Sequence, residues 1–189
     1  MNKTDLLFNP NLVIENDDVS LRIVSMEDIS SLEKIAIDKS IWTYFTDEIN
    51  SLDDLQKYVK SLLTQFEDHK NVPFVIYDKK KQKIVGMSSF GNISAKDQRI
   101  EIGWSWITPT AQGSGINKAY KDLLINFAFE KLEFVRVEFK TDVLNAKARK
   151  ALEKIGATEE GVLRSHTLMH HNRRRDTIYY AILRDEWKS

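Results

Sequence analysis

Cysteine is absent from this chain, and that one absence closes three routes together: a disulfide scaffold, a thiolate metal site and a catalytic thiol. Any chemistry must come from oxygen, nitrogen or backbone groups. A charge excess is missing as well. Lys+Arg and Asp+Glu balance at 28 each, so no global field attracts a polyanion and no nucleic acid partner is expected. No apolar run approaches the ~20 residues that span a bilayer, which argues against a membrane partner. The start, Met1 to Asn16, sets Asp5 and Glu15 around Leu6, Leu7 and Phe8 and lacks the three regions of an export signal; a cytoplasmic location is the expectation. The three prolines are scattered, with no repeat and no Pro/Gly/Ser-rich linker between them. One domain is expected over residues 19–187, preceded by an N-terminal extension over 1–18.

What is present is ordinary globular sequence, 42% hydrophobic and 30% charged. Val19 to Val24 alternates and predicts a first strand. Ser25 and Asp28 fit a capping box, with Asp replacing the usual Glu, ahead of a helix to about Ile37. Leu55, Val59, Leu62, Leu63 and Phe66 share one helical stripe. Three runs rich in β-branched and aromatic residues follow, at Val72 to Tyr77, Ile84 to Phe90 and Ile100 to Ile107, the first two joined by a charged hairpin tip at Lys79 to Lys83. The period then lengthens: Ile116, Tyr120, Leu123, Leu124, Phe127 and Ala128 repeat every 3.6 residues. Val135, Val137 and Phe139 return to alternation. A helix from Ala146 to Ile155 starts after Asn145 and stops at Gly156, and strand-like runs at Gly161 to Met169 and Asp176 to Leu183 close the chain. This order predicts an α/β protein, a mixed sheet covered by helices.

The segment that carries chemistry is Gln112-Gly-Ser-Gly-Ile-Asn117, a strand-to-helix turn. Such a turn presents backbone N–H groups at the positive end of a helix dipole and can cradle phosphate without a charged side chain. A bare Gly-x-Gly fits a simple tight turn equally well. Spacing excludes a Walker loop, and Lys118 stands where a Rossmann fingerprint needs a third glycine.

Three segments in fixed order resemble one family: Ile100-Glu-Ile-Gly-Trp-Ser-Trp-Ile107, the Gln112 to Asn117 turn, and Asn145-Ala-Lys-Ala-Arg-Lys-Ala-Leu-Glu-Lys-Ile-Gly-Ala157. They are similar to GNAT superfamily acetyltransferases, most of all to the ribosomal-protein N-terminal (Rim-type) branch. The closing pattern of Glu160-Gly-Val-Leu-Arg164, Arg174-Arg-Asp176, Tyr180 and Glu186-Trp187 agrees, so the resemblance runs from Val19 to Trp187. It implies the GNAT fold, a mostly antiparallel mixed sheet in a single domain, with acetyl-CoA as cosubstrate, an amine acceptor and no metal. It also implies that the pantetheine arm pairs with backbone groups of Trp106 and Ile107 and that the pyrophosphate sits on Gln112, Gly113, Ser114, Gly115, Ile116 and Asn117. Asn145 matches the asparagine that contacts the arm, although a helix N-cap is its plainer role. A homodimer is left open.

Two departures qualify the resemblance. Thr110 stands where the loop motif usually has Gln or Arg. Leu152 and Ala148 replace the Tyr or Ser that acts as general acid in many relatives. Acetyl transfer needs a neutral amine, stabilisation of the tetrahedral oxyanion and a proton for the departing thiolate. Glu101, at a position resembling the family's glutamate, is the first candidate base, and an acid on a solvated strand face is its competing reading. His166 is the second candidate. At pH ~7.4 an α-amine of pKa ~7.8 loses its proton for under about 1 kcal/mol, a lysine of ~10.4 for about 4, so weak acid–base equipment favours an α-amine or similar acceptor. A degenerate acyl-CoA-binding sensor is the alternative. His170-His-Asn-Arg-Arg-Arg-Asp176 reads as a charged, solvated turn, its adjacent histidines making a poor zinc site on their own. Trp104 and Trp106 read as core or cleft wall.

Overall fold

Eight strands form one sheet in a computed structural model that describes residues 3–188, and the apolar alternation of the sequence decides which side of each strand is dry. The strands are β1 (Val13–Glu15), β2 (Val19–Ile23), β3 (Asn71–Asp78), β4 (Lys83–Ser94), β5 (Arg99–Ile107), β6 (Arg136–Asp142), β7 (Thr158–Leu168) and β8 (Arg174–Leu183). Their order is β1-β2-β3-β4-β5-β6-β8-β7. Every neighbouring pair is antiparallel except β5 with β6. The helices are α1 (Lys3–Leu7), α2 (Ile29–Ala36), α3 (Leu52–Glu67), α4 (Ile116–Asn126) and α5 (Ala146–Lys154).

Two cores lie on opposite faces. On one, Tyr120, Leu124 and Ala128 of α4 and its extension pack with Leu152 of α5 against Ile100, Val137, Ile178 and Tyr180 of the sheet. On the other, Leu32, Leu55, Val59 and Trp42 pack against Val75, Met87 and Trp106. The sequence repeat that runs on through Ala128 is explained by a π turn, Phe127–Lys131, which prolongs α4 and keeps Ala128 and Phe129 buried.

The start of α2 shows how local sequence sets geometry. Asp28 accepts hydrogen bonds from the Ser25 N–H at 2.9 Å and the Ser25 hydroxyl at 3.2 Å, and Arg22 of β2 pairs with it at 2.5 Å. Burial alone would raise the Asp28 carboxyl; Arg22 and Ser25 together outweigh it and hold the group below the usual carboxylate range.

The stretch expected as an extension contributes to the fold. β1 pairs with β2, and Leu7, Leu12 and Ile14 are buried in the first core. Three residues of strand are too short for alternation to announce them. Among the described residues no helix is long and apolar enough to cross a membrane.

Candidate active site

β5 and β6 pair only at Arg99–Arg136, Ile100–Val137 and Glu101–Glu138. Beyond Glu101 the two strands part, leaving one edge of β5 open down to Ile107. A change of register against β4 lies within this stretch, and Trp104 adopts φ 51°, a conformation that costs a bulky residue on the order of 1–3 kcal/mol. This bulge re-aims the strand beside the notch. The Thr108 N–H donates to Val85 O at 2.8 Å, so by strand alternation the backbone groups of Ile107 face the notch. Those of Trp106 face β4. Of the two residues implied to pair with a cofactor arm, only Ile107 has its backbone on the open edge. The Trp106 side chain is buried 5.4 Å from the Trp42 ring, and Trp104 walls two adjoining clefts.

The glycine turn follows at once. Gly113 (φ 78°) and Gly115 (φ 91°) adopt left-handed backbone, and a Cβ on either would meet open space, so it is conformation rather than crowding that favours glycine here. No side chain caps α4. Not all six N–H groups of the turn are free. Gln112 N–H donates to Pro109 O at 3.1 Å and Ser114 N–H to Ala111 O at 3.4 Å. Among the described residues, those of Gly113, Gly115, Ile116 and Asn117 have no backbone acceptor, and they stand where the helix dipole is positive. Lys147, from the first turn of α5, donates to Gln112 Oε1 and adds a cation beside the turn. No spacing rule joins residues so far apart in sequence. Asn145 caps α5, its Oδ1 accepting from Ala148 N–H at 3.0 Å.

The two candidate bases lie on one face of the sheet. Glu101 is 5% exposed, so the solvated reading of this acid does not hold. It accepts from Asn92 Nδ2 at 2.6 Å and pairs with Lys140 Nζ at 2.7 Å. Lys140 lies 5.1 Å from the Tyr179 ring centre, and Tyr179 meets the His166 ring edge-on at 6.0 Å. His166 Nδ1 is 3.1 Å from the Thr177 hydroxyl, on exposed strand β7. A row from Glu101 through Lys140 and Tyr179 to His166 thus crosses β5, β6, β8 and β7. Three strand spacings, about 14 Å, separate its ends, so Glu101 and His166 do not share one reacting atom. A separate cleft, lined by Trp104 and by Asp47 and Glu48 from the loop before α3, does not include these four residues.

The basic turn is more structural than its composition suggests. Arg173 pairs at 2.5 Å with Asp142, whose side chain is 1% exposed. Arg173→Ser removes the direct ion-pair partner of that carboxylate, which keeps the Leu144 N–H at 2.9 Å, and should cost about 1–3 kcal/mol in urea melts. Exposed Arg174, bonded to Ser165, should tolerate the same change.

Comparison with known proteins agrees with this geometry. The acetyltransferase (GNAT) domain family matches residues 18–158. The "Putative ribosomal N-acetyltransferase YdaF" of Bacillus subtilis (strain 168) is 30% identical over 182 residues, covering 92% of this chain and 95% of that protein. Two crystal structures share the fold. A GCN5-related N-acetyltransferase from Brucella melitensis has a TM-score of 0.86 at 20% identity, with 95% of this chain and 81% of that one covered. The ribosomal-protein-S5-alanine acetyltransferase of Vibrio fischeri has a TM-score of 0.76 at 18% identity, with 95% and 100% covered. With the family match spanning most of its length and a 30% identical relative aligned nearly end to end, the chain belongs to the GNAT acetyltransferase family.

Proposed function

We propose that the protein transfers the acetyl group of acetyl-CoA to a primary amine, with an α-amine of a peptide or protein, or a small amine of similar pKa, as acceptor. The observation that carries this reading is the continuity of notch and turn: an open β5 edge at Ile107 leads into an uncapped helix start with four unclaimed N–H groups. The turn fits a pyrophosphate, and the edge fits an amide-bearing arm. Ile107, Gly113, Gly115, Ile116 and Asn117 would hold the cosubstrate, with Lys147 beside the phosphates and Asn145 at the arm. Acetyl-CoA supplies an activated thioester. The chain's own part is to orient the amine and take its proton, for which Glu101, at the point where the strands part, is the nearer group.

The degenerate alternative rests on two observations: Leu152 is a buried hydrocarbon where a hydroxyl acid would sit, and Glu101 is already engaged by Lys140 and Asn92. One assay separates the two. Thiol release from acetyl-CoA is followed with peptides bearing a free α-amine, the same peptides blocked at the N-terminus but carrying lysine, and small amines. Turnover with free α-amines above blocked lysine peptides is expected. CoA binding without release on any amine would establish the sensor, and preference for lysine would overturn the acceptor class.

A further inference from the structure

The tip of the β7–β8 hairpin places two imidazoles against a carboxylate from elsewhere in the chain. His170 and His171 follow one another at the tip, their rings 4.9 Å apart. Glu48 reaches them from the loop between residues 45 and 51, its Oε2 3.8 Å from His171 Nε2. One donor atom from each of the three residues lies within 4.8 Å of the other two. His170 Nδ1 is buried and has no hydrogen-bond partner, the kind of orphaned polar atom that calls for an ion or water nearby.

Two adjacent histidines alone make a poor metal site, but folding supplies the third donor. We propose that Glu48, His170 and His171 form a Zn²⁺ site that clips the loop before α3 to the tip of the β7–β8 hairpin. Two imidazoles and one carboxylate are a donor set that Zn²⁺ accepts in tetrahedral geometry with one position left to water, whereas Mg²⁺ and Ca²⁺ prefer oxygen ligands. Bonds of about 2.0–2.1 Å put tetrahedral ligand atoms about 3.4 Å apart, so separations that now reach up to 4.8 Å have to shorten by up to about 1.4 Å. His171 can supply that motion, its side chain being 80% exposed. The site has a consequence for a neighbouring cleft. Glu48 also lines the cleft beside Trp104, so a metal there ties one wall of that cleft to the hairpin tip; metal binding itself does not depend on the proposed activity.

The test uses the full chain without a histidine tag, stripped by chelator, titrated calorimetrically with Zn²⁺ and followed with Co²⁺ by its visible absorption. One equivalent per chain, a four-coordinate Co²⁺ spectrum and a melting-temperature rise with Zn²⁺ but not Mg²⁺ are expected. Glu48→Gln, His170→Asn and His171→Asn should each weaken Zn²⁺ by at least about 10–100-fold, the loss that an outer-shell partner alone can cause. His69→Ala, away from the cluster, should leave it unchanged. Melting each variant without metal shows that it is folded. Failure of the parent to bind, or full affinity in Glu48→Gln, overturns the site; an effect of His69→Ala equal to the others marks nonspecific histidine binding and overturns it too.

Discussion

Gly113→Asp is expected to abolish the stabilisation that CoA confers. A ligand at about 100 times its Kd stabilises the folded state by about 2.7 kcal/mol, a rise of roughly 5–10 °C for a domain of this length. Gly113 precedes the uncapped start of α4 and its N–H is unclaimed. An aspartate there adds a negative charge where the turn would otherwise hold pyrophosphate. The variant should still fold. A Cβ at Gly113 meets nothing within 4 Å, and Asp tolerates left-handed backbone better than most residues, so the cost in the absence of CoA is about 1 kcal/mol. Gly113→Asn separates conformation from charge: it shares the backbone tolerance without the carboxylate and should keep most of the shift. An undiminished shift in folded Gly113→Asp would remove this turn from the cosubstrate site.

What could be read from sequence follows the range of the interactions involved. The period-2 and period-3.6 patterns lie within single segments, and β2 through β8 and α2 through α5 appear where those patterns put them, to within a few residues. The glycine turn was legible for the same reason, since positive φ and an exposed helix start are set by neighbours in the chain. Its two spent donors were not, because they depend on how the short turn Pro109–Ala111 folds back. Contacts between distant segments stayed hidden. Arg173 looked solvated until Asp142 met it across the sheet, Lys147 reaches Gln112 from the next helix, and Glu48 meets the histidine pair only once loop and hairpin are placed. Residues of the closing pattern have structural partners: Glu160 pairs with Arg136, Asp176 accepts from Ser165 N–H at 2.6 Å, and Trp187 donates to Asn126 at 2.6 Å. That pattern marks how the last hairpin is pinned more than what the site does.

Glu101→Gln should lower kcat/KM by a factor in the ~10²–10⁴ range of acid–base catalysis near neutral pH. The loss should shrink as pH rises and the amine sheds its own proton. The structure adds a cost that the strand position alone did not suggest. With Lys140 at 2.7 Å and Asn92 at 2.6 Å, the substitution leaves Lys140 without its counter-ion, and about 1–3 kcal/mol of stability should go with it. Reduced activity is then ambiguous by itself, because a carboxylate that only anchors β6 to β5 would also matter. Lys140→Met resolves the ambiguity: it breaks the same ion pair, keeps the Lys140 side chain's apolar bulk and leaves the Glu101 carboxylate in place on Asn92. If Glu101 takes the amine's proton, both variants lose stability but only Glu101→Gln shows the pH-dependent loss of kcat/KM. If its role is to hold the strands, the two variants fall together at every pH, and the proton must leave through water or His166 at the far end of the same row.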